Sequence, residues 1–171
     1  MPRLPTTLQS KLSLDMQAKY ERVTKPELGL AGTFQALFAN PRVASCLADL
    51  HETVGKVDLE PWVTLTVALT VAHERENKYL WDSFVPMARE AGVSDAVIDG
   101  IAVGTAPRGL LPKEGIWVNF AKEVLQDKMR DSTWQSTTHL VGDEGVVALT
   151  VTACYYDMMA RINQTLDLDI A

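Results

Sequence analysis

Cysteine is scarce in this chain: Cys46 and Cys154 are the only two, and they lie far apart. Two isolated thiols exclude a disulfide framework, and their spacing suits no metal knuckle. Both fall on apolar stretches and read as small buried hydrophobes. Basic residues are outnumbered, with 16 Lys and Arg against 22 Asp and Glu and a formal net charge of −6. No basic run interrupts that balance, so a nucleic-acid partner is not expected. No apolar run reaches the roughly 20 residues that span a bilayer. The opening stretch, MPRLPTTLQSKLS, lacks the apolar segment of a secretory signal. A cytoplasmic protein with no membrane partner is the expectation. Glycine-rich phosphate loops are missing too, since GVVALT reads as the interior of a helix. His73 with Glu76 or Asn77 spans one helical turn but has no third ligand in sequence, so neither a metal nor an organic cofactor is expected.

What is present is ordinary soluble-protein composition arranged with helical periodicity. The 171 residues are 47% hydrophobic and 22% charged, enough for a single domain over 1–171 with one real core. Residues 1–8, with two prolines and two threonines, read as an extended arm. A helix through Leu12, Met16 and Tyr20 stops before Pro26, and a short one through Phe34 and Phe38 ends at Asn40. Pro41 then opens a helix carrying Val43, Leu47, Leu50 and Val54. Asp58 is a candidate N-cap for the next, with Glu60 in its first turn. That helix, through Trp62, Leu65, Leu69 and Val71, is apolar nearly all round, as a central buried helix should be.

Six polar residues, His73 to Lys78, interrupt the pattern before Asn77 caps a helix through Tyr79, Leu80 and Phe84 to Gly92, with Pro86 inside it. Ser94 and Asp95 start a short helix ended by Gly104. The loop TAPRG over 105–109 is the least regular stretch. Pro112 to Met129 is amphipathic, a polar helix from Ser132 to Leu140 is closed by Gly142, and Asp143 caps a long last helix. No stretch alternates with period two, so the fold class is all-α.

Three segments, GTFQALFANPRVA, YLWDSFVPMAREAGVS and GDEGVVALTVTACYYDMMARIN, give the chain its resemblance to a known family. Together and in that order they resemble the carboxymuconolactone decarboxylase family, whose fold is alkylhydroperoxidase-D-like. Tyr79, Trp81 and Pro86 match the motif of its central helix. Where family peroxidases carry a Cys-x-x-Cys pair this chain has Asn77 and Leu80, which excludes thiol peroxidase chemistry. The decarboxylase pattern has a glutamate at the place of Leu80 and a histidine at the place of Phe84, so the pocket implied here is more apolar.

The resemblance implies a cofactor-independent lyase acting on a small organic acid or aromatic-derived metabolite, by decarboxylation or a related cleavage or isomerisation. The place in metabolism it implies is aromatic compound catabolism. It also implies a homotrimer or homohexamer. His73 borders the implied active site and is the expected acid/base, with Glu74 orienting it or acting as a second base. The structural alternative for His73 is a cation at a helix C-terminus. Tyr79 is the expected donor to developing negative charge, and Trp81 and Phe84 an apolar wall shared with His73. Glu76 is a further acid/base candidate, weighed against a charged helix end. Glu74 and Lys78 also have the spacing of a stabilising i,i+4 pair. His51 joins the site only if its helix faces His73, and Arg108 could reach an anionic substrate. The rival reading is a non-catalytic oligomeric binding member of the family.

Overall fold

A computed structural model describes residues 2–26, 29–104 and 112–168 of the chain. Over these residues it is all-α, with eight helices and no strand. In chain order they are α1 (Leu14–Val23), α2 (Ala31–Leu37), α3 (Pro41–Val54), α4 (Pro61–Glu74), α5 (Lys78–Glu90), α6 (Asp95–Val103), α7 (Pro112–Leu125) and α8 (Asp131–Leu166). No described helix is long and apolar enough to cross a membrane.

The helix boundaries follow local chemistry. The Asn40 side chain accepts the N–H of Val43 ahead of Pro41, Asn77 accepts that of Leu80, and Ser94 accepts that of Val97. Gly104 ends α6 with φ +70°, a left-handed conformation open to glycine. Gly142 sits inside α8 at φ 69°, ψ 180°, a region almost reserved for glycine, and divides α8 into a polar and an apolar half. The expected cap at Asp58 is corrected: α4 starts at Pro61 with Glu60 as its N-cap, and no side chain caps it. Proline at the first helical position fixes the start there, because its missing N–H is one the helix cannot use. The amphipathic helix α7 also ends at Leu125, short of Met129.

α4 is central. Every residue from Thr66 to Ala72 is buried, and the helix packs against α5, α6, α7 and α8. The hydroxyls of Thr66 and Thr70 bond back to the carbonyls of Trp62 and Thr66, which makes their burial tolerable. Its two faces belong to two apolar clusters, which share Trp62 and Tyr156 at their border. Ala68, Leu69 and Ala72 join α1, α2, α3, α5 and α6 around Phe34, Phe38, Leu80 and Phe84. Val63, Val67 and Val71 join α7 and α8 around Trp117, Phe120 and Leu149.

The N-terminal arm is tied down by its backbone: Arg3 N–H donates to the Leu166 carbonyl, Thr7 N–H to Gln35, and Tyr20 O–H to the Thr7 carbonyl. The expectation of buried thiols is overturned, since Cys46 and Cys154 are both exposed. On α3 the buried positions are Ala44, Ala48, His51 and Val54, which leaves Cys46 on the far side. On α8 Cys154 shares its outer face with Val147 and Val151, both exposed.

Candidate functional site

The break between α4 and α5 makes the site. Glu76 N–H donates to the His73 carbonyl and Asn77 N–H to that of Ala72, the paired bonds of a Schellman turn. The left-handed residue this turn needs is Glu76, at φ 50°, where glycine is the usual occupant. At the equivalent turn after α5, with Gly92 and Val93 donating to Arg89 and Ala88, glycine holds the position at φ 92°.

Asn77 is buried and both ends of its side-chain amide are engaged. Its Oδ1 accepts the Leu80 N–H at 3.0 Å, and its Nδ2 donates to the Ala160 carbonyl at 3.1 Å. It thereby fixes the start of α5 against both α4 and α8.

This turn walls a cleft of about 310 Å³ lined by Ala72, His73, Glu76, Asn77, Lys78, Trp81 and Ala102. The His73 imidazole is half-buried and faces the Trp81 indole, with ring centroids 6.0 Å apart at 60°. A Cβ added to Gly104 would lie 3.4 Å from His73 Nε2, so the end of α6 approaches the ring closely. No described residue forms a hydrogen bond or ion pair with the His73 imidazole. Three of the expected site residues, His73, Trp81 and Glu76, therefore come together.

The others go elsewhere. Glu74 turns to α7 and pairs with Lys122 at 3.3 Å, so it does not orient His73. The expected Glu74–Lys78 pair fails because the two residues are on different helices; Lys78 pairs instead with Asp82. Arg75 pairs with Asp157 of α8. The Tyr79 oxygen accepts the Gly32 N–H at 2.9 Å and lies outside the cleft.

Phe84 does not share a cavity with His73. It is buried against Tyr156, with ring centroids 5.0 Å apart, and a Cβ on Gly29 would come 2.8 Å from its ring. Phe84 lies on the face of α5 that, with Leu80 and Ala88, enters the larger cluster, whereas Trp81 lies one residue beyond Leu80, towards the cleft.

His51 also belongs to the core. Its Nδ1 is 2.9 Å from the Tyr155 hydroxyl, and its ring packs against Phe34. Burial lowers its pKa, partly countered by the neighbouring Glu52 charge. Burial pushes the Tyr155 hydroxyl well above its ordinary range, so this pair stays neutral. Arg108 lies outside the described residues.

The residues that sequence reasoning missed are Lys78 as a cleft cation and Ala102 as its far wall. The Asn77 cap signal was enough to place Lys78 at the first turn of α5, beside the end of α4. Nothing local pointed to Ala102. The site has one imidazole without a partner among the described residues, an indole wall opposite, and an ammonium and a carboxylate at the rim. No family model, curated protein or solved structure matches the chain.

Proposed function

We propose that the chain is a cofactor-independent lyase of the carboxymuconolactone decarboxylase type, with an alkylhydroperoxidase-D-like fold, acting on a small organic acid or aromatic-derived metabolite. The observation that carries this reading is the His73 imidazole, half-buried beside Trp81 and without a partner among the described residues. A histidine committed to structure normally spends a ring nitrogen on a neighbour, as His51 does on Tyr155.

In the proposed reaction the carbon–carbon bond to a carboxylate breaks, carbon dioxide leaves, and the electron pair remains on carbon as an enolate. His73, protonated, delivers a proton to that carbon and recovers one from water. Lys78 holds a second acidic group of the substrate. Its pair with Asp82 is exposed at both ends, 75% and 56%, and such pairs hold their side chains weakly. Trp81 supplies the flat apolar wall that suits a ring or an unsaturated acid. Glu74, Tyr79 and Phe84, which sequence reasoning added to the site, are not needed for this chemistry.

The same reading takes the chain as a cytoplasmic homo-oligomer, a trimer or hexamer. The outer face of α8 supports assembly: Val147 is 63% exposed and Val151 42%, with Cys154 beside them. That face equally supports the second reading, a non-catalytic oligomeric binding protein. Turnover of a panel of lactone acids and aromatic-derived acids separates the two.

A further inference from the structure

Beyond Gly142, the outer face of α8 has the spacing of a helix-packing seam. Glu144, Val147, Val151, Cys154 and Arg161 are exposed along it, and Met158 is half-buried. The intervals between these six residues are 3, 4, 3, 4 and 3, the alternation that lets one helix lie along another at a shallow angle. The middle of the seam is apolar and its ends carry opposite charges, Glu144 towards the N-terminus and Arg161 towards the C-terminus. Beside Cys154 and Met158 the face widens into a groove of about 590 Å³, whose other wall is Leu37, Val43 and Leu47.

The charges decide which helix fits. A second copy of the seam, related by a two-fold axis, runs antiparallel to the first. With the axis midway between Val151 and Cys154, the seam meets itself in three kinds of layer. Val151 lies against Cys154 of the second copy, Val147 against Met158 and Glu144 against Arg161, and each layer occurs twice. A parallel pairing would instead set Glu144 against Glu144 and Arg161 against Arg161, a costly arrangement. Both charges are in position for the antiparallel one. Glu144 has no ion pair among the described residues. Arg161 gives its Nε to Asp157, which Arg75 also engages, and its side chain stays 63% exposed. Asp127 and Asp157 border the seam near Cys154, and the two arginines offset Asp157.

We propose that a second copy of this chain covers the seam, α8 against α8 across a two-fold axis, with Glu144 paired to Arg161 of the other copy at each end. Burial of Val147, Val151 and Met158 drives the contact, and the end charges fix its direction and register. The unit of assembly is then a two-fold dimer, which stands alone or builds a hexamer but is incompatible with a lone trimer. This rests on the assembly part of the function proposed above and on nothing at His73.

Sedimentation velocity on charge-reversed chains tests it. Glu144→Arg and Arg161→Glu each set like charges together at both ends, and each should weaken self-association about ten-fold or more. Mixed one to one, the two variants should associate as the native chain does, because one end then keeps the native pair and the other carries it reversed. The double variant Glu144→Arg/Arg161→Glu restores both pairs within one chain and should also self-associate normally, which keeps the test open if a single variant fails to fold. His73→Ala should assemble as the native chain does. Native association in both folded single variants, or no recovery in either the mixture or the double variant, would overturn the proposal while leaving a homo-oligomer in place. A monomeric native chain at micromolar concentration would overturn both.

Discussion

Tyr79 and Gly32 are joined by a hydrogen bond in which the tyrosine oxygen accepts the backbone N–H at 2.9 Å. Gly32 is the second residue of α2, whose first-turn N–H groups have no partner within the helix. A side chain from α5 thus caps α2, and the absence of a side chain at Gly32 permits it. A Cβ there would lie 3.0 Å from the hydroxyl.

Tyr79→Phe should therefore cost stability by about 1 kcal/mol, because it strands a backbone donor. Denaturant unfolding measures this. Turnover should change little. A variant with native stability and a large loss of activity would return Tyr79 to the site.

Glu76 gives the opposite sign. It holds a left-handed turn that costs a non-glycine residue roughly 1 kcal/mol. Glu76→Gly should raise the unfolding free energy by up to that amount, less the greater freedom glycine has in the unfolded chain. An unchanged or lowered unfolding free energy would contradict the strain. A stabilised variant with impaired turnover would show that the carboxylate at the cleft rim is used.

Two buried groups set the response to acid. His51 has its pKa lowered in the folded state from an ordinary 6.5, so its neutral form is the one the fold accepts. Its contribution is whole above that value and is lost as pH falls towards the folded-state pKa. For Glu123, burial alone would raise the pKa. Hydrogen bonds from the Arg130 backbone and guanidinium and from Thr133, with the Arg130 charge, outweigh burial and hold it below its ordinary 4.5. Stability should therefore fall in two stages on acidification, first below about pH 6.5 and again below about 4.5. His51→Gln should weaken the first stage and leave the second, as read from thermal unfolding across pH. An identical profile in that variant would contradict the assignment.

The exposed thiols make a surface prediction. Cys46 and Cys154 should both react with a thiol reagent in the folded monomer, Cys154 more slowly because burial and the nearby charges of Asp157 and Asp127 raise its pKa. If the outer face of α8 is a subunit contact, Val147→Asp should shift the mass in light scattering towards the monomer and expose Cys154. A native chain that is already monomeric at micromolar concentration would dispose of the oligomer.

Helix positions were legible in the sequence because their signals are local. Asn77, Ser94, Pro41, Gly104 and Gly142 each act through the backbone within a turn of themselves. Pro61 carried the same kind of signal and should have outranked Asp58. The burial of α4 was legible from its unbroken apolar surface. The site was harder to read because its partners are distant in sequence. Nothing near Glu74 announces Lys122, nothing near Tyr79 announces Gly32, and nothing near Phe84 announces Tyr156. His73 and Trp81 did meet, since both flank one short turn whose two caps could be read.

The most direct test of the proposed chemistry compares the native chain with His73→Ala on whichever lactone or aromatic-derived acid it turns over, after helical content confirms that the variant is folded. His73 carries the proton transfer in this account, so kcat should fall by roughly 100-fold or more while KM changes little. A folded His73→Ala protein with native kcat, or a native chain that turns over none of these acids, would contradict it.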